Sequence, residues 1–177
     1  MGVRTSRSSL SANLTVRNYF QFQSMNILSH FKKKDIFSDV EKHRIVNAIQ
    51  QAEKETSGQI RVFVERHCRF VDPLDRAAEV FHVLKMQDTS KRNGVLIYVA
   101  MKDRQLALFG DQGIHEKVGD TFWNEKVKIM LSHFARQNYA DGLVHMIGEI
   151  GEALKSHFPY DGNNDRNELP DDIVFGR

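Results

Sequence analysis

The chain has a single cysteine, three prolines and no long apolar run, and each shortage closes off a class of protein. A lone thiol, Cys68, cannot form an intramolecular disulfide or furnish a zinc ribbon. Its neighbours Arg66, His67 and Arg69 would lower its pKa by their charge, whereas a plain semi-buried residue just past a strand end is the alternative. A cysteine-loop phosphatase would need arginine six positions further on, where Leu74 stands. The longest apolar stretch, Gly94 to Met101, meets Lys102, Asp103 and Arg104 after eight residues, far short of the roughly 20 that a spanning helix requires. Nor does the amino terminus carry the apolar core of a secretory signal. The expectation is a chain without a transmembrane segment, cytoplasmic or peripheral to a membrane.

Charge of one sign is also scarce. The net +2 divides into six basic against one acidic residue over 1–36, 17 against 17 over 37–160, and two against five over 161–177. The basic excess lies in the leader and not on the body of the chain, so nucleic acid is not the expected partner. Catalytic motifs are missing too: there is no phosphate loop, dinucleotide fingerprint, GxSxG elbow or aspartyl-nucleophile motif, and the eight histidines are scattered. His145 and Glu149 stand four apart, which reads as a surface pair.

What is present organises into three parts. Residues 1–34 form a basic leader, disordered or reflecting an over-long start, since Met25 opens a second plausible beginning. Residues 35–160 carry the periodic patterns, and 161–177 form an acidic tail in which Leu169, Ile173, Val174 and Phe175 are available to pin it to the domain or to dock elsewhere. Ser38 and Glu41 make a capping box before the helical stripe Ile45, Ala48, Ile49, Ala52, with Gly58 as the stop. The stretch 59–65 alternates as a strand, and Asp72-Pro73 opens a helix striped by Leu74, Ala77, Phe81 and Leu84. "RNGVLIYVA" is a strand apolar on both faces, so strand, helix and strand form a parallel βαβ unit. A short turn at 102–104 then returns the chain as strand 105–110, a hairpin. Helices follow from Asp120 to about Gln137 and from about Asp141 to His157, with Gly148 and Gly151 inside the second. These patterns predict an α/β protein, a three-layer α/β/α sandwich with a small central mixed sheet.

Strand direction sorts the acidic candidates. Glu65 and Asp103 fall at one end of the sheet and Asp111 at the other, near Gly58, Arg92 and Asn93. Asp111, Glu116 and Asp120, on or beside a loop over 112–120, would offer oxygen ligands to a hard cation such as calcium or magnesium. The alternative is a solvated loop with Asp120 capping its helix. Asn93 and Arg104 are candidate phosphate or ligand contacts, although Arg104 beside Asp103 also reads as a turn salt bridge. Glu65 and Asp103 are the alternative metal-binding edge.

The fragments "DIFS", "TSGQIRV", "NGVLIYVAMKDRQLALFGDQGI" and "FARQNYADGL" occur in an order and spacing that resembles the TPM-domain family over about residues 35 to 158. The resemblance implies an α/β/α sandwich with a mixed sheet. It also implies a role: plant and cyanobacterial relatives are linked to photosystem II repair, an animal relative to acetylcholine-receptor regulation, and phosphatase activity is attributed to part of the family. Many bacterial relatives are membrane-tethered, a tether this chain does not show. Gly110-Asp111-Gln112-Gly113-Ile114 also departs from the family's glycine-aromatic-glycine-leucine-glutamate run, so a ligand held by that glutamate would be held differently. The expected function is a non-catalytic binding or auxiliary domain acting on a protein complex at or near a membrane, its partner a protein and a membrane protein among the options. A metal-dependent acid phosphatase is the alternative.

Overall fold

The structure, a computed structural model, describes residues 36–162 and 169–176. The leader expected over 1–34 lies outside them. Helix α1, Asp39–Glu53, starts where Ser38 and Glu41 satisfy each other's backbone N–H groups, at 3.3 Å and 2.8 Å. Gly58 is not its stop: the helix ends at Glu53, and Gly58 lies beyond, pressed so close to Leu154 that a Cβ would come within 2.6 Å of that side chain.

Strand β1, Gln59–Glu65, leads through α2, Pro73–Val83, and a 3-10 turn at Met86–Asp88 into β2, Gly94–Ala100. Asp72 caps α2 by accepting the Leu74 N–H at 2.8 Å, and Pro73 occupies the first turn, where its missing N–H costs nothing. Strand β3, Gln105–Gly110, returns antiparallel from β2 with Ala100 opposite Gln105, the expected hairpin. Strands β1 and β2 are parallel, Gln59 opposite Gly94 and Glu65 opposite Ala100. Helices α3, Gln112–Ala135, and α4, Tyr139–His157, complete the helical set, and β4, Ile173–Phe175, adds a parallel edge to β1. The sheet order is β3-β2-β1-β4.

Alternation across the sheet separates two cores. Val62, Val64, Val95, Ile97, Leu106 and Leu108 pack beneath α1, α3 and α4, while Phe63, Leu96, Tyr98, Ala107 and Phe109 pack against α2. The result is the three-layer α/β/α sandwich with a mixed sheet, three helices on one face and one on the other.

Beside Gly58, one further expectation needs correction. Residues 112–120 are not a loop, because α3 begins at Gln112. Asp111 caps it through the Gln112 N–H at 2.8 Å, and Gly113 is wedged where a Cβ would stand 2.3 Å from the Lys91 carbonyl. Gly119, at φ 70 and ψ 175, breaks the helical geometry midway and kinks the element. The acidic tail supplies β4 through Ile173, Val174 and Phe175, three of the four apolar residues named as able to pin it to the domain. Gly151 packs on α1, a Cβ there falling 2.7 Å from the Ala52 Cβ. Nothing lies within 4 Å of a Cβ built at Gly148, and the structure offers no reason for that glycine. No helix among the described residues is long and apolar enough to cross a membrane.

Candidate functional site

Polar groups collect at the two ends of the sheet. At the carboxyl ends of β1 and β2, the Glu65 carboxylate is 3% exposed and accepts from Arg76 Nε and Nη2, both at 3.0 Å, and from the Tyr98 hydroxyl at 2.5 Å. Arg76 reaches this place from the first turn of α2 and donates a further bond to Glu79 at 2.8 Å. These carboxylates push the guanidinium pKa up, while burial, Cys68 and Glu65 push up that of the Tyr98 phenol. Cys68 lies beside them, buried, and burial raises its thiol pKa. The basic neighbours Arg66 and Arg69 therefore do not make it a reactive thiolate.

The hairpin turn is stapled to this end. Asp103 accepts the Cys68 N–H at 2.6 Å and faces His67 Nδ1 at 2.9 Å; burial opposes its charge, but these contacts hold its carboxyl below the ordinary range. Met101 and Lys102 donate backbone bonds to Glu65 and Arg66 at 3.0 Å and 2.8 Å. Arg104 sits in the turn with a left-handed backbone, φ 55. The loop after β1 projects outward here. Phe70 is 103% exposed at φ 65, and Val71 beside it is 47% exposed.

At the opposite end, Asp111 is 2% exposed and is gripped by Arg92 through Nε at 2.6 Å and Nη2 at 2.7 Å. Asn93 is buried next to it. Its Nδ2 donates to Ser57 Oγ at 3.4 Å, Lys91 Nζ bonds the same hydroxyl at 3.0 Å, and the Asn93 Oδ1 is buried without a partner.

The candidates thus divide as strand direction predicts: Asp111 and Asn93 at one end, Glu65, Asp103 and Arg104 at the other. Glu116 is engaged by Gln112 Nε2 at 2.7 Å, and Asp120 faces His115 at 3.6 Å. Among the described residues no three acidic, histidine or cysteine side chains converge where they could hold a metal ion. His145 lies against His133, with ring centroids 5.4 Å apart, and Glu149 is paired with Lys126. Arg76, Tyr98 and His67 escaped the sequence reading. The βαβ connection contains the signal for Arg76, because the first turn of its helix returns toward the strand end that carries Glu65.

A third carboxyl, half-buried at the end of α1, meets the amino end of β1. Glu53 accepts the Ile60 N–H at 2.5 Å, and burial together with the nearby Asp171 pushes its pKa up to about 8.

A mixed four-stranded sheet with three helices on one face, one on the other and ion-paired ends defines a small α/β/α domain. The chain belongs to the TPM-domain family, since a model of the TPM domain matches residues 30–153. It is similar to the BA42 protein of the psychrophilic bacterium Bizionia argentinensis, with 42% identity and a TM-score of 0.75 over 82% of this chain and 99% of that one. The N-terminal domain of the cg2496 protein of Corynebacterium glutamicum shares the fold, at 13% identity and a TM-score of 0.55 over 78% and 89% of the two chains. None of the curated proteins matches.

Proposed function

We propose that this chain is a binding or auxiliary TPM domain that acts on a protein complex at or near a membrane and does not catalyse. One observation supports this reading above the rest. The acidic side chains best placed for chemistry are held by internal donors: Asp111 by Arg92, Glu65 by Arg76 and Tyr98, Asp103 by His67 and the Cys68 amide. A carboxylate gripped by both guanidinium donors has its oxygens committed to the fold, whereas metal-assisted hydrolysis needs free oxygens on an open site. Calcium or magnesium enters this reading only as a stabilising ligand.

The competing reading is a metal-assisted phosphomonoesterase built around Asp111. It would require Arg92 to let go. The test is hydrolysis of generic phosphate esters with and without added calcium or magnesium, in the native chain and in Asp111→Asn. The expected result is turnover no higher than background, with calcium at most raising the thermal midpoint as binding linkage dictates. Robust metal-dependent turnover, lost by orders of magnitude in a folded Asp111→Asn, would make the enzyme the right answer. Affinity capture from native lysate then identifies the complex.

A further inference from the structure

We infer that the loop between β1 and α2 is a membrane-contacting tip, with Phe70 and Val71 inserting into an anionic bilayer and the surrounding cations resting on its headgroups. The inference rests on the membrane-proximal reading above and names the surface that makes the contact.

The starting observation is a local conflict. An aromatic residue at φ 65 is in a backbone region that a bulky side chain adopts at a cost, and Phe70 is fully exposed, so no burial offsets it. The fold gains nothing from phenylalanine at this position. Strain held at a solvent-facing aromatic points to contact with something outside the chain.

The rim specifies the occupant. Arg66 and Arg69 on the loop and Lys102 on the stapled hairpin turn are all exposed. Of the acidic groups nearby, Asp72 caps α2, Asp103 binds His67 and the Cys68 amide, and Glu65 is buried under Arg76, which leaves Asp75, exposed in the first turn of α2, against the three cations. The tip is therefore apolar at its apex and cationic around it, which complements a surface with a hydrocarbon interior and anionic headgroups.

Area argues in the same direction. An aromatic side chain contributes about 150–250 Å2 and a valine less, well below the roughly 800 Å2 per partner of a stable protein interface. A bilayer has no such threshold, because each inserted group gains independently. Backbone bonds from Met101 and Lys102 to the Glu65 and Arg66 carbonyls, with Asp103 on the Cys68 N–H, fix the base of the loop, which lowers the ordering cost of insertion.

The experiment uses the full chain with phosphatidylcholine vesicles prepared with and without phosphatidylserine. Phe70→Trp places a reporter at the apex, and the only native tryptophan, Trp123, is buried and gives a constant background. A blue shift and quenching by brominated lipid are expected with phosphatidylserine, neither with phosphatidylcholine alone, and both should weaken as salt rises. This local readout is independent of any binding by the basic leader. Phe70→Asn should weaken insertion-dependent vesicle binding about tenfold or more. Arg66→Ser or Lys102→Ser should weaken it about fivefold each. Since asparagine tolerates the left-handed backbone, Phe70→Asn should keep or raise the thermal midpoint. Unshifted emission at position 70 on phosphatidylserine vesicles would overturn the inference. So would a Phe70→Asn that abolishes capture of a protein partner while leaving vesicle binding intact; that result would still leave the auxiliary-domain reading standing. Phosphatase turnover with vesicle insertion intact would remove that reading and not this surface.

Discussion

Replacing Glu53 by glutamine should stabilise the protein, and should do so only at high pH. Glutamine keeps an oxygen for the Ile60 N–H but removes the ionisable group. The folded carboxyl titrates at about 8 against 4.5 for a free glutamate, so between those values the folded chain holds a proton that the unfolded chain has released. Its contribution to stability is fully present below about 4.5 and is lost as pH climbs through about 8. At about 1.4 kcal/mol for each tenfold change in proton affinity, the ceiling is about 5 kcal/mol. Glu53 is only partly shielded from water and can resolvate by a small shift, which brings the expected gain to about 2 kcal/mol above pH 8. For a domain of this size that corresponds to a rise of about 6–8 °C in thermal midpoint. Thermal melts of the native chain and Glu53→Gln across pH 4 to 9 report the difference, and other titrating groups cancel in it. A difference that stays constant with pH, or has the glutamine variant less stable at pH 9, would refute the assignment of Glu53 as a half-buried carboxyl held protonated.

Three further outcomes follow from the packing. Gly110→Ala places a Cβ 2.4 Å from the Trp123 ring, which has no room to yield, and should cost about 1–3 kcal/mol, read as a lower urea midpoint at unchanged slope. Tyr98→Phe removes one of the three donors to Glu65 and should cost about 1–2 kcal/mol in the same assay, with the Arg76 grip retained. A chain ending at Gly162 loses β4 and leaves Arg61, 5% exposed, without its partner Asp172. Its melting midpoint should fall by several degrees, and an unchanged midpoint would mean that β4 contributes nothing.

The central elements were legible because their patterns agree at every level. Ser38 with Glu41, Asp72 with Pro73, and the uninterrupted apolar residues of 94–100 each point to a cap, a helix start and a doubly covered strand, and each is found. The first turns of α3 were hidden by Gly113 and Gly119, which reduce helix propensity, while the facts favouring a helix there, a capping Asp111 and a tight seat against the 91–92 carbonyls, are tertiary. β4 was obscure for a related reason: three residues after an acidic stretch carry no periodicity, and their pairing partner is more than a hundred positions away. At the site, strand direction sorted the carboxylates to their ends. It could not reveal the donors, because Arg76 and Tyr98 meet Glu65 only after the crossover closes.

That short β4 gives the sheet a seam. It joins β1 through three residue pairs, anchored by Arg61 with Asp172 and by the Gly176 N–H on the Val64 carbonyl, 2.9 Å. So small a ladder opens at a lower free energy than the β1–β2 pairing beside it, and amide hydrogens along the β4 side of β1 should exchange with solvent well before those facing β2. While the seam is open, Val62, Phe63 and Val64 present an unpaired backbone edge, a template on which a strand from another chain can add. The latch that keeps this edge covered is thus the last element of the sheet to be reached along the chain and the first to let go.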